Sequence, residues 1–251
     1  MVAKIGCIIQ ARMGSTRLPG KVLMKLEDKT VLGHILTRLK QVKNADVIIV
    51  ATSTSIEDNK IKDECNKYGV ECFRGELKNV LSRYYHAATL YGLTDIVRIC
   101  ADNTILNWEI IDKQIEAYLK SKPDILCCGE NITLGTGGEI FSYDMLKQAY
   151  LNAKEDYQYE HVTPYIYENS NHIVRYDIEE DLSKYRFTLD TQDDWALIQK
   201  IYEHLYKKNA LFTLEEAIEL INTHPELYRI NENIKQIKVL KMNRDNKYVK
   251  V

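Results

Sequence analysis

Two compact apolar runs near the start of the chain, Ile5 to Ile9 and Val47 to Val50, flank a stretch with helical spacing at Val31, Ile35, Leu36 and Leu39. Neither run alternates between apolar and polar residues, so both suit the interior of a parallel sheet covered on its two faces. The order then repeats. Ile56 to Tyr68 reads as a second helix, with Glu57 and Asp58 in its first turn and Gly69 as its stop, followed by a short strand at Val70 to Phe73. Val80, Tyr84, Ala87, Ala88 and Tyr91 again carry helical spacing, closed by Gly92, ahead of a strand at Ile96 to Cys100. This alternation predicts an α/β fold with a doubly wound, mostly parallel sheet. Ligands of such sheets lie outside the carboxyl ends of the strands, where Gln10 to Lys21, Ala51 to Ser53 and Ala101 to Asn103 fall.

From Asp124 the pattern loosens. A glycine-rich loop, Gly135 to Gly138, precedes a helix from Tyr143 through Ala153, and a strand-like piece spans Ile173 to Ile178. Trp195 to Tyr206 and Leu214 to Ile221 read as helices, the second opened by a Thr213/Glu216 capping-box pattern. With 251 residues, no internal repeat and no low-complexity linker, the expectation is one domain over 1–251, with 195–251 a helical C-terminal extension. The lysine-rich stretch from Lys235 to Lys250, which includes Asp245, reads as a solvated terminal segment.

Charge narrows the function classes. The 34 Lys and Arg nearly balance the 36 Asp and Glu, so no whole-molecule field favours nucleic acid or an anionic membrane, and phosphate binding has to be local. No apolar stretch approaches the roughly 20 residues of a membrane span. Met1 to Gln10 has no small-residue cleavage site, which speaks against a signal peptide. The six cysteines, Cys7, Cys65, Cys72, Cys100, Cys127 and Cys128, show no C-x-x-C spacing and no accompanying histidine cluster. Most of them read as small buried hydrophobes of a reducing, cytoplasmic compartment rather than as a zinc site.

The most informative segment is Gln10-Ala11-Arg12-Met13-Gly14-Ser15-Thr16-Arg17-Leu18-Pro19-Gly20-Lys21, directly after the first strand. Gly14 and Gly20 allow positive φ and close approach of main-chain amides to an anion, while Arg12, Arg17 and Lys21 supply charge. A polar surface loop would use some of these residues; a triphosphate cradle would use them all. The P-loop pattern is not met, because five residues rather than four separate the glycines and Val22 follows the lysine. The dinucleotide fingerprint also fails, since Gly14 and Gly20 lack the tight G-x-G pair.

Ile8 to Lys21 resembles the opening motif of the cytidylyltransferases that activate acidic sugars, in particular the spore-coat-polysaccharide (SpsF-like) type. The similarity continues through Val50-Ala51-Thr52-Ser53, Phe73-Arg74-Gly75, Val80 to Tyr84, Glu160 to Ile166 and Asp190-Thr191. The resemblance implies a nucleotide-diphosphosugar-transferase-like (GT-A/Rossmann-like) three-layer sandwich, CTP as co-substrate, Mg²⁺ and a homodimer. It also implies transfer of CMP to a small acidic or sugar-like acceptor with release of pyrophosphate, in surface polysaccharide or glycoconjugate biosynthesis. Neither nucleic acid nor a membrane is expected as a partner.

By the same resemblance, Asp102 and Asp190 match the family's metal-binding aspartates, although each alone also suits a cap or turn. Gln10, Ala11, Arg12, Met13, Gly14, Ser15, Arg17, Lys21, Thr52, Ser53, Arg74 and Asp102 are the expected nucleotide contacts, with Arg12, Lys21, Asp102 and Asp190 catalytic. Ser53 or Ser55 suits a helix cap equally well. Glu139, Glu160, His161 and Arg186 are the expected acceptor contacts, Arg186 for an acceptor carboxylate or phosphate. A glycosyltransferase with a nucleotide-sugar donor and a non-catalytic nucleotide-binding homologue are the alternatives. Three departures from the family pattern bear on loop shape. Asn103-Thr104 stands where a small residue and Pro are common, Asn79 where Asp is common, and Gln192 where Pro often follows the Asp-Thr pair.

Overall fold

The first apolar run becomes strand β1 (Ile5–Gln10), buried along its length except at Gln10. A computed structural model of the chain describes residues 3–15, 17–236, 239–242 and 248–250, so Thr16 and Asp245 lie outside the described residues. A short ribbon follows, β2 (Lys25–Leu26) and β3 (Lys29–Thr30), then α1 (Val31–Leu39), β4 (Val47–Ser53), α2 (Asn59–Tyr68), β5 (Glu71–Gly75), α3 (Val80–Leu90) and β6 (Asp95–Cys100). The second half runs α4 (Trp108–Ser121), β7 (Ile125–Cys128), β8 (Glu139–Ser142), α5 (Tyr143–Asn152), α6 (Asp156–His161), α7 (Pro164–Asn169) and β9 (Ile173–Tyr176). Helices α8 (Gln192–Leu205), α9 (Leu214–Thr223) and α10 (Pro225–Tyr228) and an antiparallel pair, β10 (Leu240–Met242) and β11 (Tyr248–Lys250), complete it.

Seven strands form one sheet in the order β5-β4-β1-β6-β8-β7-β9. β1 pairs in parallel with β4 and β6, which puts Gln10 opposite Ala51 and Cys100 and so gathers three strand ends. β8 alone runs against its neighbours, antiparallel to both β6 and β7. The sheet is therefore mostly parallel and doubly wound, as the apolar runs predict. Side-chain alternation sends Cys7 and Ile9 to a core under α1, α2 and α4, and Ile8 to a second core under α3, α5 and α7. These are the three layers. A third apolar cluster joins Phe187 to α8 and α9 through Leu197, Ile201, Phe212 and Ile218.

Several elements differ from the sequence reading. Helix α4 and the strands β7 and β8 come from segments in which no element was read. The expected helix at Ile56 to Tyr68 is split into a 3-10 turn, Ile56–Asp58, and α2, because the Asp58 side chain turns inward to Ser53 and Met13. Neither Ser53 nor Ser55 caps a helix with its hydroxyl. Helix α8 begins at Gln192, three residues before Trp195, since Thr191 and Asp194 form a capping box. Gln192 thus sits at N1, a position that also suits proline. Asn79 caps α3 by accepting from Ser82 N at 2.8 Å, as an aspartate would. All six cysteines are free. No helix among the described residues is long and apolar enough to cross a membrane.

His34, on the buried face of α1, lies edge-on to Tyr202 and donates from Nε2 to Leu26 O at 2.6 Å. Burial pushes its pKa down from 6.5 to about 4, although the Leu26 carbonyl opposes the shift. The unfolded imidazole takes up a proton near pH 6.5 and the folded one only near 4, so stability present above 6.5 is lost as pH falls through this window. The expected loss is on the order of 3 kcal/mol. Urea unfolding midpoints measured from pH 7 to 5 should fall in the native chain, and His34→Gln should remove most of that slope.

Candidate active site

The loop after β1 folds back on itself: Met13 O accepts from Ser15 N and Gly20 N, both at 2.9 Å. Gly20 takes φ 71°, a left-handed turn that glycine adopts without penalty, and delivers the chain into the 3-10 turn that carries Lys21. Gly14 has no positive φ, so the expected permissiveness is used at Gly20 only. Asp58, which sequence reasoning read only as a first-turn residue, pins the loop. Its carboxylate is 2% exposed and accepts from Met13 N at 2.8 Å, from Ser53 N at 3.2 Å and from the Ser53 hydroxyl. An acidic residue five positions beyond the end of β4 was the available signal. Asp58→Ala leaves these buried donors unpaired and should cost about 2–4 kcal/mol in urea unfolding. Asp58→Asn, which still accepts, should cost less.

The two aspartates are brought together by the segment 186–190. Asn103 bridges Thr188, Leu134 bridges Arg186, and Leu189 N donates to Asp102 O at 2.9 Å, which lays the segment along the outgoing end of β6. Gly135 permits this approach: its φ is 94°, and a Cβ there would meet Thr188 N at 2.7 Å. Asp102 is not a helix cap, because Asn107 caps α4 through Glu109 N and Ile110 N. Asp102 Oδ2 and Asp190 Oδ1 both accept from the Lys21 ammonium, at 2.9 and 3.0 Å, and Leu189 O accepts from it at 2.6 Å. Arg17 reaches Asp190 Oδ1 at 3.1 Å.

Arg186 stands behind this pair. Its guanidinium contacts Asp194 twice, Nε to Oδ1 at 2.9 Å and Nη2 to Oδ2 at 3.2 Å, and donates to Asp190 Oδ2 at 3.2 Å and Gln236 Oε1 at 2.5 Å. It lines neither of the cavities described next.

Two adjoining cavities, of about 560 and 570 Å³, open at this edge of the sheet and share Asp102, Asp190, Arg98 and His161 as a common wall. The first is lined by Gln10, Ala11, Arg12, Ser15, Arg17 and Lys21, together with Arg83 and Glu160. The second is lined by the glycine-rich loop, Glu139, Thr163, Tyr167 and Arg175. Met13, Gly14, Thr52, Ser53 and Arg74 lie outside both linings. Thr52 is fully buried with Oγ1 unpaired, and Arg74 braces the loop after β4 through Ser53 O, Ser55 O and Asn59 Oδ1. Tyr84 belongs to the core and donates to Ile8 O at 3.0 Å. Arg12 pairs with Glu160 at 3.2 Å across the mouth of the first cavity.

Arg98 is the main residue that the sequence reading passed over. It holds Gln10 Oε1 at 3.2 Å and Glu139 Oε2 at 2.5 Å, tying the two cavities together, and Thr163 and Tyr167 also donate to Glu139. A lone cation inside an otherwise apolar strand was the available signal.

Electrostatics fix the protonation states. Burial works against the Lys21 charge, yet Asp102 and Asp190 raise its pKa above the ordinary lysine value, so it is an ammonium at neutral pH. Burial lowers the His161 pKa, Arg98 and Arg12 add to the effect, and Glu160 opposes it, which favours the neutral imidazole. Burial pushes the Cys100 thiol up to about 11, too high for a thiolate nucleophile. The oxygens around Lys21 Nζ form a hard donor set of the kind magnesium or manganese takes. No group of three or more His, Cys, Asp or Glu suited to a metal gathers among the described residues. A divalent ion here would rest on two carboxylates and complete its shell with water and substrate oxygens, which suits magnesium.

A family model described as cytidylyltransferase matches residues 6–245. An uncharacterized protein of Methanocaldococcus jannaschii is 44% identical over 237 residues, 93% of this chain and 96% of that one. The spore coat polysaccharide biosynthesis protein SpsF of Bacillus subtilis is 32% identical over 231 residues, 87% of this chain and 94% of that protein. Among solved structures, a cytidylyltransferase from Leptospira borgpetersenii superposes with a TM-score of 0.85 at 32% identity, covering 94% of this chain and 100% of the other.

Proposed function

The chain belongs to the cytidylyltransferase family and is a nucleotidyltransferase, and from that premise we propose that it transfers CMP from CTP to a small acidic or sugar-like acceptor, releasing pyrophosphate. The observation that carries this reading is the meeting of two cavities at Asp102 and Asp190, one rich in cations and the other lined by mixed polar groups. CTP takes the first cavity, where Arg12, Arg17, Lys21 and the loop amides face its phosphates. The acceptor takes the second, where Arg175 offers a cation for a carboxylate or phosphate and Glu139 and His161 face its hydroxyls.

Asp102 and Asp190 would hold a magnesium ion, which would supply charge to stabilise the α-phosphate oxygens. An acceptor oxygen attacks the α-phosphorus in line, the bond to the bridging oxygen of the β-phosphate breaks, and Arg12, Arg17 and Lys21 offset the charge that collects on pyrophosphate. No protein nucleophile is needed, in keeping with the neutral Cys100 thiol. The likeness to a spore coat polysaccharide biosynthesis protein supports a place in surface polysaccharide or glycoconjugate synthesis.

A thermal-shift screen of CTP, UTP, ATP and GTP with magnesium tests the donor. CTP alone should stabilise, by roughly 2.7 kcal/mol at a hundredfold excess over its Kd. Pyrophosphate release with acceptor mixtures tests the reaction. Release of a nucleoside diphosphate from a sugar nucleotide, with no pyrophosphate from CTP, would establish a glycosyltransferase instead.

A further inference from the structure

The Lys21 ammonium is built into the place where the two carboxylates converge. Its Nζ lies 2.9 Å from Asp102 Oδ2, 3.0 Å from Asp190 Oδ1 and 2.6 Å from Leu189 O, and the side chain is 11% exposed. An ammonium has three donors, so all are spent on protein oxygens and none is left for a ligand in this arrangement. Yet Lys21 also lines the cavity of Arg12 and Arg17, the one proposed for the triphosphate. It cannot serve both sets of oxygens at once. A second cation brought to Asp102 and Asp190 would meet this charge within hydrogen-bond distance in a mostly buried site, where repulsion is weakly screened.

We infer that Lys21 is an exchangeable internal counter-ion. It occupies Asp102 and Asp190 against divalent cations while nucleotide is absent, and it turns to the triphosphate when nucleotide arrives, so that the site takes its metal only together with nucleotide. Asp190 keeps its place during the exchange, because Arg17 and Arg186 hold it at 3.1 and 3.2 Å. The turn at Gly20, φ 71°, adjoins the moving residue. The second half of the inference rests on the CTP reading above; the competition between Lys21 and a metal ion does not.

The test measures Mn²⁺ binding by the loss of the free-ion EPR signal, for the native chain and for Lys21→Gln, with and without CTP. Lys21→Gln should bind Mn²⁺ alone at least tenfold more tightly than the native chain, and the native chain should gain comparable affinity only with CTP present. Equal affinity of the two chains for Mn²⁺ alone, with Lys21→Gln folded by thermal melting, overturns the inference. In native protein labelled with ¹⁵N-lysine, the Lys21 Nζ resonance should stay put with Mg²⁺ alone and shift with Mg²⁺ and CTP. A shift of that resonance with millimolar Mg²⁺ alone overturns it too, and this arm decides if Lys21→Gln does not fold. If no nucleoside triphosphate stabilises the native chain while Lys21→Gln still gains Mn²⁺ affinity, the CTP reading fails and the competition stands.

Discussion

Asp102→Asn and Asp190→Asn should each reduce turnover by roughly a thousandfold or more while the protein stays folded. An amide keeps the size of the carboxylate and one acceptor oxygen, so backbone placement survives: Asp102 O still receives Leu189 N, and the bridge between Asn103 and Thr188 is main chain. What disappears is one of the two negative charges that set the position of Lys21 and that, on the proposed function, hold a divalent ion. Of the pair, Asp190→Asn should cost more stability, since Arg17, Lys21 and Arg186 all converge on that carboxylate. Pyrophosphate release under saturating CTP and acceptor, paired with a thermal melt, makes the measurement. Turnover within tenfold of the native rate in either variant removes these residues from the chemistry.

Arg186→Ala should destabilise the fold by about 3–5 kcal/mol, the usual cost of stranding one member of a buried ion pair. Asp194 is 0% exposed, and beyond Arg186 it is bonded by Asn231 Nδ2 and by the main-chain N–H groups of Asp190 and Thr191. Burial alone would raise its pKa; the Arg186 and Asn231 bonds bring it below the ordinary carboxylate value. Without the guanidinium a charge remains where water does not reach. Asp194→Asn in the Arg186→Ala background should recover much of the loss, because an amide keeps the backbone acceptor without the stranded charge. Arg186→Lys should rescue only in part, since one ammonium cannot reproduce the two-pronged contact with Asp194. Urea denaturation gives these differences directly. A loss under 1 kcal/mol for Arg186→Ala would mean that Asp194 finds another partner.

Most of the first hundred residues were legible because the sheet strands and helices there carry their own local pattern; the short ribbon β2–β3 was not read, and the helix expected from Ile56 begins only at Asn59. β1 and β4 carry apolar runs, β6 one interrupted only by Arg98 after its opening Asp95, and the apolar residues of α1 and α3 recur at helical spacing. The second half resisted for a different reason. β7 and β8 are four residues each, too short for periodicity to separate them from loop, and β8 finds its neighbours through pairings remote in sequence. Within α4, Gln114 interrupts the apolar face, being buried to bind Gly138 O and Gly138 N. The site divides in the same way. Residues of the loop after β1 were found because several charges and glycines cluster in one stretch. Arg98, Asp58 and Asp194 were not: Arg98 reaches Gln10 and Glu139 and Asp58 reaches Met13, all dozens of positions away, and the burial of Asp194 against Arg186 is set by the fold, so the local signal at each was faint. Arg186 shows the converse. A cation was legible, but its orientation toward Asp190 and Asp194 is decided by how the chain returns past the end of β6.

The reversed direction of β8 has a consequence for how such a molecule can diversify. A parallel strand would present its far end to the ligands, whereas β8 presents its beginning, so the segment preceding it, Gly135 to Gly138, arrives at the working edge of the sheet. That segment and the turn following β1 enter from opposite ends of their strands and are encoded more than a hundred positions apart. With the two cavities assigned as proposed, insertions or exchanges ahead of β8 can reshape what is accepted while the grip on the donor is inherited unchanged, much as a tool keeps its handle when the bit is swapped.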